Sequence, residues 1–466
     1  MHNRATTIKL LEGESQQFTI ATGIPQGSPL SPILFLFFIS DLLDLTNNEA
    51  LRLSSTGFVD DVNILTYGET TERNCRALER IHRKCEEWAV THGARFAPEK
   101  YELLHLTRAP KRFNLKAVPT LGGVQVETKS SIRVLGVQID TKLKWGPHIK
   151  KIHDRFASQS LALSRITTST WGARFEKARL VYNSVIKPAI FYGAGVWYSP
   201  QGTATARKGV DKKLETLQNQ CIRTVLGAYK ATSGPILEKE AEIPPITTTL
   251  DKLVANAVRR QAITQRGKVV TNLRDKLRRN AIPGRQRRQQ QNKPTPGEIK
   301  ANWLRERIPE ELWTKLTVQA VTIDGERSRG PTWKQAIRKM TDKSWDKRWT
   351  AYLHQLPDNR SRSPAQEDME RNSSQLHAGL SKPMSSLITQ IRTEKIGLNA
   401  FLADRHVPNR IPTCGCGWRR QTAKHIIMSC PTYNTLRQRH LDPARDRDYK
   451  QMVATNRGAK AAAKLI

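Results

Sequence analysis

The stretch "GFVDDVNIL" at residues 57–65 sets two aspartates, Asp60 and Asp61, side by side between an apolar entry and an apolar exit. Like charges this close resist joint ionisation unless a cation sits beside them. The alternation in "LSSTGFVDDVNILTYG" predicts two short strands meeting at a tight turn. Successive strand residues face opposite sides, so one carboxylate points at a site and its neighbour away, unless the turn brings both to one ion. Such a pair also serves turn geometry alone, and its context has to decide. As metal ligands the two suit Mg²⁺, a hard cation that keeps several waters and leans on substrate phosphates. Two such ions about 4 Å apart support phosphoryl transfer by activating the attacking oxygen and stabilising the leaving one.

The context upstream is "GIPQGSPLSP", a strand breaking on Gly23, Pro25, Gly27, Pro29 and Pro32, whose punctuation fixes a backbone that can approach a nucleotide closely. A helix is expected to follow over 33–43. Over 71–91, Leu78, Ile81, Cys85, Trp88 and Ala89 recur at three- and four-residue steps, the mark of an amphipathic helix. "SIRVLGVQID" reads as a further strand with a glycine break. From 144 to about 245 the pattern is helical, with Leu214, Leu217, Cys221, Ile222 and Val225 forming one apolar stripe closed by Gly227. The composition changes after Pro245. "NLRDKLRRNAIPGRQRRQQQNKPTPGE" is basic, Gln-rich and Pro-punctuated, either a poorly ordered connector lying against polyanion or a solvated linker.

Charge narrows the partner. A net charge of +35, from 77 Lys and Arg against 42 Asp and Glu, points to a polyanion, with nucleic acid the first candidate. A membrane surface is weaker, because the most apolar run, "PILFLFFI", is far shorter than the ~20 residues of a spanning helix. The first residues meet Glu12 and Glu14 without a continuous apolar run, so they read poorly as a signal peptide, and an intracellular protein without stable membrane association is expected. Six cysteines in 466 residues make no disulfide framework. Three of them crowd into "CGCGWRRQTAKHIIMSCPTY". There Cys414, Cys416, His425 and Cys430 are separated by one, eight and four residues, a set suited to a closed, structural, tetrahedral Zn²⁺ site; the alternative is reduced, unligated thiols. Gly415 and Gly417 permit the tight turn, and Trp418, Arg419 and Arg420 offer a stacking ring and charges to single-stranded nucleic acid.

"GIPQGSPLSPILF", "GFVDDVNIL", "FAPEKYELLHL" and "RVLGVQIDTKLKWGPHI" follow one another in an order and spacing that resembles the reverse transcriptases of non-LTR, LINE-type retrotransposons. The likeness continues through "SVIKPAIFYGAGVWY" and "LETLQNQCIRTVLGAYKATS" and returns at "MSSLITQIRTEKIGLNAFL" and the Cys/His cluster, covering most of the chain. It implies an α+β chain: a partial right-hand polymerase palm (1–140), a helical thumb-like region (141–245), a basic, partly disordered connector (246–380), a zinc-knuckle-like unit (381–441) and a basic tail (442–466). It implies an RNA-directed DNA polymerase acting on an RNA template and a DNA primer with dNTPs and Mg²⁺. Asp60 and Asp61 take the place of its metal-binding pair, in Phe-Val-Asp-Asp where many relatives have Tyr-Ala-Asp-Asp. Pro25, Gln26 and Gly27 would line the incoming nucleotide and template, and Leu135, Gly136 and Val137 would form a turn gripping the primer. Lys100 would sit near the triphosphate, unless it is an ordinary surface lysine.

The family also carries a metal-binding aspartate on a strand well before the Pro-Gln-Gly element. None of the 24 residues before Pro25 is aspartate. An N-terminally truncated copy is therefore expected, with a non-catalytic nucleic-acid-binding remnant as the alternative. For an RNase H domain, as some relatives carry, the one suggestive piece is "TIDGE" at residues 322–326, and no convincing acidic partners follow it, so 245–380 is expected to join thumb to knuckle directly. The family implies the nucleus, with the mitochondrion left open.

Overall fold

The computed structural model describes residues 4–466 except 8, 11–12, 21–22, 26, 49–51, 108, 201, 204–207, 264–293, 314–331, 357–361, 368–372 and 442–447. It divides into two compact units, Met1–Pro147 and His148–Ile466.

The first unit mixes helix and sheet. Strands β1 (Arg4–Thr6), β2 (Lys9–Leu10), β3 (Gly13–Glu14) and β4 (Phe18–Ile20) precede helix α1 (Ser31–Thr46), with β1 pairing β4 and β2 pairing β3. The hairpin of β5 (Leu53–Phe58) and β6 (Asp61–Thr66) leads into α2 (Thr71–His92). Hairpins β7 (Thr120–Leu121) with β8 (Val124–Gln125), and β9 (Ser131–Val134) with β10 (Val137–Asp140), complete it. All five pairings are antiparallel two-stranded sheets. The core joins Ile39 and Leu42 of α1, Leu53 of β5, and Ile81, Cys85, Trp88 and Ala89 of α2. The stripe on α2 therefore faces the hairpin, as its spacing predicts. Local chemistry sets its ends: the Thr70 hydroxyl accepts from the Arg73 amide, and Gly93 takes a left-handed φ of 63°.

The second unit is helical. It runs through α3 (Gly146–Ile166), α4 (Phe175–Val181), a π-turn at Tyr182–Ile186, α5 (Lys187–Ile190), α6 (Ala194–Trp197), α7 (Lys208–Leu226), α8 (Gly234–Glu240) and α9 (Ile246–Ile263). Helices α10 (Pro296–Arg305), α11 (Trp333–His354), α12 (Pro364–Glu367) and α13 (Ser373–His377) follow. The chain closes with α14 (Lys382–Arg392), α15 (Asn399–Asp404), α16 (Ala423–Met428), α17 (Asn434–Leu441), α18 (Tyr449–Val453) and α19 (Asn456–Leu465).

Two stretches differ from the sequence expectation. The described parts of 246–380 are ordinary packed helices: α10 starts at a Thr295–Glu298 capping box and buries Trp303 and Leu304, and α11 starts at a Thr332–Gln335 box and buries Ile337, Trp345 and Trp349. Basic composition masked these stripes: most of the Lys and Arg of α11 lie on its outer face, while Lys300 of α10 is itself buried, donating to the Gly195 and Val196 carbonyls at 2.9 and 3.0 Å. The segment 322–326 and most of the basic, Gln-rich stretch at 272–298 lie outside the described residues. Likewise, the segment read as a basic tail contains α18 and α19. Ala459, Ala462, Ala463 and Leu465 are buried against Ile388 and Ile391 of α14 and Leu441 of α17 in one core. Alanine lets these helices approach closely, and the Ala run that reads as tail composition is a packing surface.

Candidate functional sites

The aspartate pair sits at the tip of the β5–β6 hairpin. Register pairs Gly57 with Val62 and Phe58 with Asp61, leaving Val59 and Asp60 as a two-residue turn. Val59 takes φ 53°, a left-handed conformation costly for a β-branched residue. Both carboxylates are exposed, and Phe58 and Val59 beside them are exposed too. Packing from below fixes the hairpin: a Cβ on Gly57 would meet both Cδ atoms of Leu43 at 3.1 Å, so α1 lies close under β5. The Thr46 hydroxyl also donates to Ser55 Oγ at 2.7 Å.

The turn before α1 is tied to that same helix. The Ser31 hydroxyl donates to the Pro25 carbonyl at 2.5 Å, and Gly27 takes φ 86°, which favours glycine. Gln26 lies outside the described residues. Pro25 is half-buried and Gly27 exposed. Lys100 is exposed at the end of the 3₁₀ turn Pro98–Lys100. Among the described residues no hydrogen bond or ion pair links Asp60, Asp61, Lys100, Pro25 and Gly27, and no third His, Cys, Asp or Glu side chain groups with the two aspartates. Leu135 and Gly136 form the two-residue β9–β10 turn, both at positive φ (45° and 84°), the arrangement of a type I′ hairpin.

The Cys/His set does converge. Ligand atoms of Cys414, Cys416, His425 and Cys430 all lie within 4.8 Å of one another. Cys414 Sγ and Cys430 Sγ are 3.7 Å apart, close to the roughly 3.8 Å that two Zn–S bonds of about 2.3 Å subtend at a tetrahedral angle. His425 turns Nε2 toward Cys416 Sγ at 3.2 Å, while its Nδ1 meets Ser429 Oγ at 3.2 Å. Burial, and then the Arg437 guanidinium, hold the imidazole below its ordinary pKa, keeping a lone pair available at neutral pH. The soft donors, their spacing and the enclosed setting fit zinc.

The backbone explains the convergence. Gly417 takes φ 88°, and the Gly417 amide donates to the Cys414 carbonyl at 3.0 Å while the Cys414 amide donates to the Trp418 carbonyl at 2.9 Å. His425 lies in the first turn of α16, where the Thr422 hydroxyl accepts from its amide at 3.1 Å. Cys430 follows as its amide donates to the His425 carbonyl at 2.8 Å, and Arg437 donates to the carbonyls of Cys430 and Ile426. Trp418 stacks on His425 with centroids 5.5 Å apart and planes 10° apart. Arg420 forms an ion pair with Asp404 at 2.6 Å, whereas Arg419 is exposed. Ser429, Arg437 and Asp404 are members that sequence reasoning missed. Only Ser429 carried a signal, standing four residues after His425 and therefore one helical turn away.

Residues 3–139 match the family model described as reverse transcriptase (RNA-dependent DNA polymerase). The chain carries a reverse transcriptase region of the non-LTR, LINE type. This reverse transcriptase region falls within the unit Met1–Pro147 and holds the β5–β6 hairpin. The chain is 24% identical over 244 residues to the RNA-directed DNA polymerase from mobile element jockey of Drosophila melanogaster, a match covering 52% of this chain and 26% of that protein. It is 22% identical over 262 residues to the probable RNA-directed DNA polymerase from transposon BS of the same organism, covering 54% and 27%. With the Retrovirus-related Pol polyprotein from type-1 retrotransposable element R1 2 of Nasonia vitripennis it shares 25% identity over 205 residues, covering 43% and 49%. The matches thus span about a quarter to a half of these relatives' lengths. No solved structure matches. Among the described residues no helix is long and apolar enough to cross a membrane.

Proposed function

We propose that this chain acts in RNA-directed DNA synthesis, extending a DNA primer with dNTPs on an RNA template. The observation that carries the reading is the Asp60–Asp61 pair, exposed at the tip of a hairpin within the reverse transcriptase region. In that reaction the primer 3′-hydroxyl oxygen bonds to the α-phosphorus of the dNTP as the bond to the departing pyrophosphate breaks. Asp60 and Asp61 would hold Mg²⁺, which supplies charge stabilisation to the attacking and leaving oxygens. Their exposed oxygens suit an ion that keeps much of its own water. Pro25, Gln26 and Gly27 would line the nucleotide and template, Leu135 to Val137 would steady the primer, and Lys100 would neutralise or protonate pyrophosphate. Cys414, Cys416, His425 and Cys430 would hold structural Zn²⁺, making the C-terminal module a nucleic-acid grip through Trp418 and Arg419. A nuclear setting belongs to the same proposal.

A second reading is a non-catalytic nucleic-acid-binding chain. It is favoured by the lack, among the described residues, of a third carboxylate grouped with Asp60 and Asp61. Primer extension by the purified chain with Mg²⁺ and an RNA template separates the two. The polymerase reading expects incorporation that falls by roughly a thousand-fold or more in Asp60→Ala and Asp61→Ala, because metal-centred charge stabilisation is worth several kcal/mol. Tight template binding without incorporation would leave the binding role standing alone.

A further inference from the structure

Helix α2 carries five cations, Arg73, Arg76, Arg80, Arg83 and Lys84, against four glutamates, so its composition alone is close to neutral. The fold separates the two signs. Glu72, Glu79 and Glu86 stand seven residues apart, about two helical turns at each step, and therefore share one line along the helix. That line faces the segment 114–123. Asn114 Nδ2 donates to Glu72 Oε1 at 2.9 Å, and the Thr120 amide donates to Glu79 Oε1 at 2.9 Å. Glu86 Oε1 lies against Gly122, where a Cβ would come within 2.8 Å, and Glu86 Oε2 stands 3.6 Å from His82 Nδ1.

The cations occupy the next arc. At about 100° per residue the five fall within a third of the circumference, turned away from Ile81, Cys85 and Trp88 in the core shared with α1 and β5. All five are exposed. Arg73 is spent on Glu69, which it meets at 2.9 Å. Arg76, Arg80, Arg83 and Lys84 have no ion-pair partner among the described residues, and Glu87, the one carboxylate of α2 on the same arc, pairs with none of them. The Arg80 Nε donates to the Arg76 carbonyl, which leaves its charge uncompensated. The four cations form a positive stripe about 12 Å long, along which one strand of a duplex presents roughly three or four phosphates.

We propose that this stripe is a second nucleic-acid surface, a docking site for the phosphate backbone of a duplex, on the face of α2 turned away from the core it shares with the Asp60–Asp61 hairpin. No aromatic ring stands on the arc, so it offers unpaired bases no stacking platform and reads charge alone. Contacts of this kind position a duplex without reading its sequence. The apolar stripe of α2 is buried, with Val90 its one exposed large apolar side chain, so the helix has no apolar face left to enter a lipid surface. The inference goes beyond nucleotide incorporation and holds whether or not the chain polymerises.

The test measures binding of the full chain to a labelled 20-base-pair DNA duplex and to a 20-nucleotide oligo-dT over a range of salt. EDTA is present throughout, so that no divalent ion at Asp60 and Asp61 contributes. Arg76→Gln, Arg80→Gln, Arg83→Gln and Lys84→Gln together are expected to lower the duplex salt slope by about 2 to 3.5, the share of two to four phosphate contacts, with a smaller change on the single strand. Glutamine is a good helix former at exposed sites, so the melting temperature should hold. If it falls, Arg80→Gln with Lys84→Gln decides, with a slope loss of about 1.8 expected. Arg76→Lys, Arg80→Lys and Arg83→Lys together keep the charge and should keep the slope. As a comparison, Lys334→Gln, Lys339→Gln, Lys343→Gln and Lys347→Gln neutralise four exposed lysines of α11 and should leave the slope nearly unmoved. An unchanged duplex slope in the stripe variant overturns the proposal. An equal loss in the α11 variant also overturns it, because the attraction is then diffuse, as does an equal loss in the lysine variant, because the effect is then structural. A change on oligo-dT as large as on the duplex overturns the duplex assignment.

Discussion

His425 shows how one side chain can hold several roles at once. Nε2 faces Cys416, Nδ1 meets Ser429, and the ring backs Trp418. A metal-ligating imidazole is oriented through its other nitrogen, and losing such a partner costs about 10- to 100-fold in metal affinity. Ser429→Ala is therefore expected to weaken zinc binding by that factor, read by competition with a chromophoric chelator, while Thr435→Ala, at an exposed position on α17, should not. The convergence of the four Cys and His side chains was legible in the sequence, because four donors within 17 residues can meet only through local turns. Trp418 on His425 and Arg420 on Asp404 were not, since stacking direction and ion-pair choice depend on how the turn closes.

At the scale of elements, α7 carries its apolar stripe as its periodicity predicts, with Leu214, Cys221, Ile222 and Val225 buried. Its end is where sequence and tertiary structure meet. Gly227 takes φ 69°, a common helix stop, but a Cβ there would also lie 2.0 Å from Ser386 Oγ on α14. Lys382 of α14 donates to the Thr224 and Val225 carbonyls at 3.1 and 2.5 Å, capping the last turn, and burial draws its ammonium down to about 8, still largely charged at pH 7. Gly227→Ala combines left-handed strain with a clash and is expected to destabilise the second unit by about 2–4 kcal/mol in urea unfolding. A stop signal alone would have suggested a milder effect, as for an ordinary exposed C-cap.

The helical unit as a whole is organised around α8, where Glu238, Lys239 and Glu240 are three consecutive charged residues and all buried. Glu240 accepts two 2.9 Å bonds from Arg392 of α14, both side chains fully enclosed. Lys239 lies over the Trp349 ring at 4.8 Å and donates to the Ala365 carbonyl at 3.2 Å. Arg348 of α11 serves both Glu238 and Glu215. One guanidinium shared by two carboxylates leaves the more buried one undercompensated. Burial pushes Glu238 up to about 7, with Arg348 pulling it down and Glu215 pushing it up. Because this folded-state value exceeds that of an unfolded glutamate, the associated stability is full below about pH 4.5 and is lost as pH rises through about 7. Glu238→Gln removes that loss, so its melting temperature relative to wild type should climb between pH 5 and 7.5 in a calorimetric series. A constant difference across the window would contradict the assignment.

The sequence by itself determined what short-range chemistry decides. It placed the aspartates on a hairpin, the stripes on α2 and α7, and the metal-ligand spacing, since each follows from backbone period or from donors close along the chain. It did not show the packed helices in the described parts of 246–380 and 442–466, where charge-rich composition hid buried faces. Only the tertiary structure could decide that α8's charges turn inward, because Arg348 and Arg392 come from more than a hundred residues away. Burying a charge is tolerable only opposite its partner, and partners that distant are found by folding rather than by spacing.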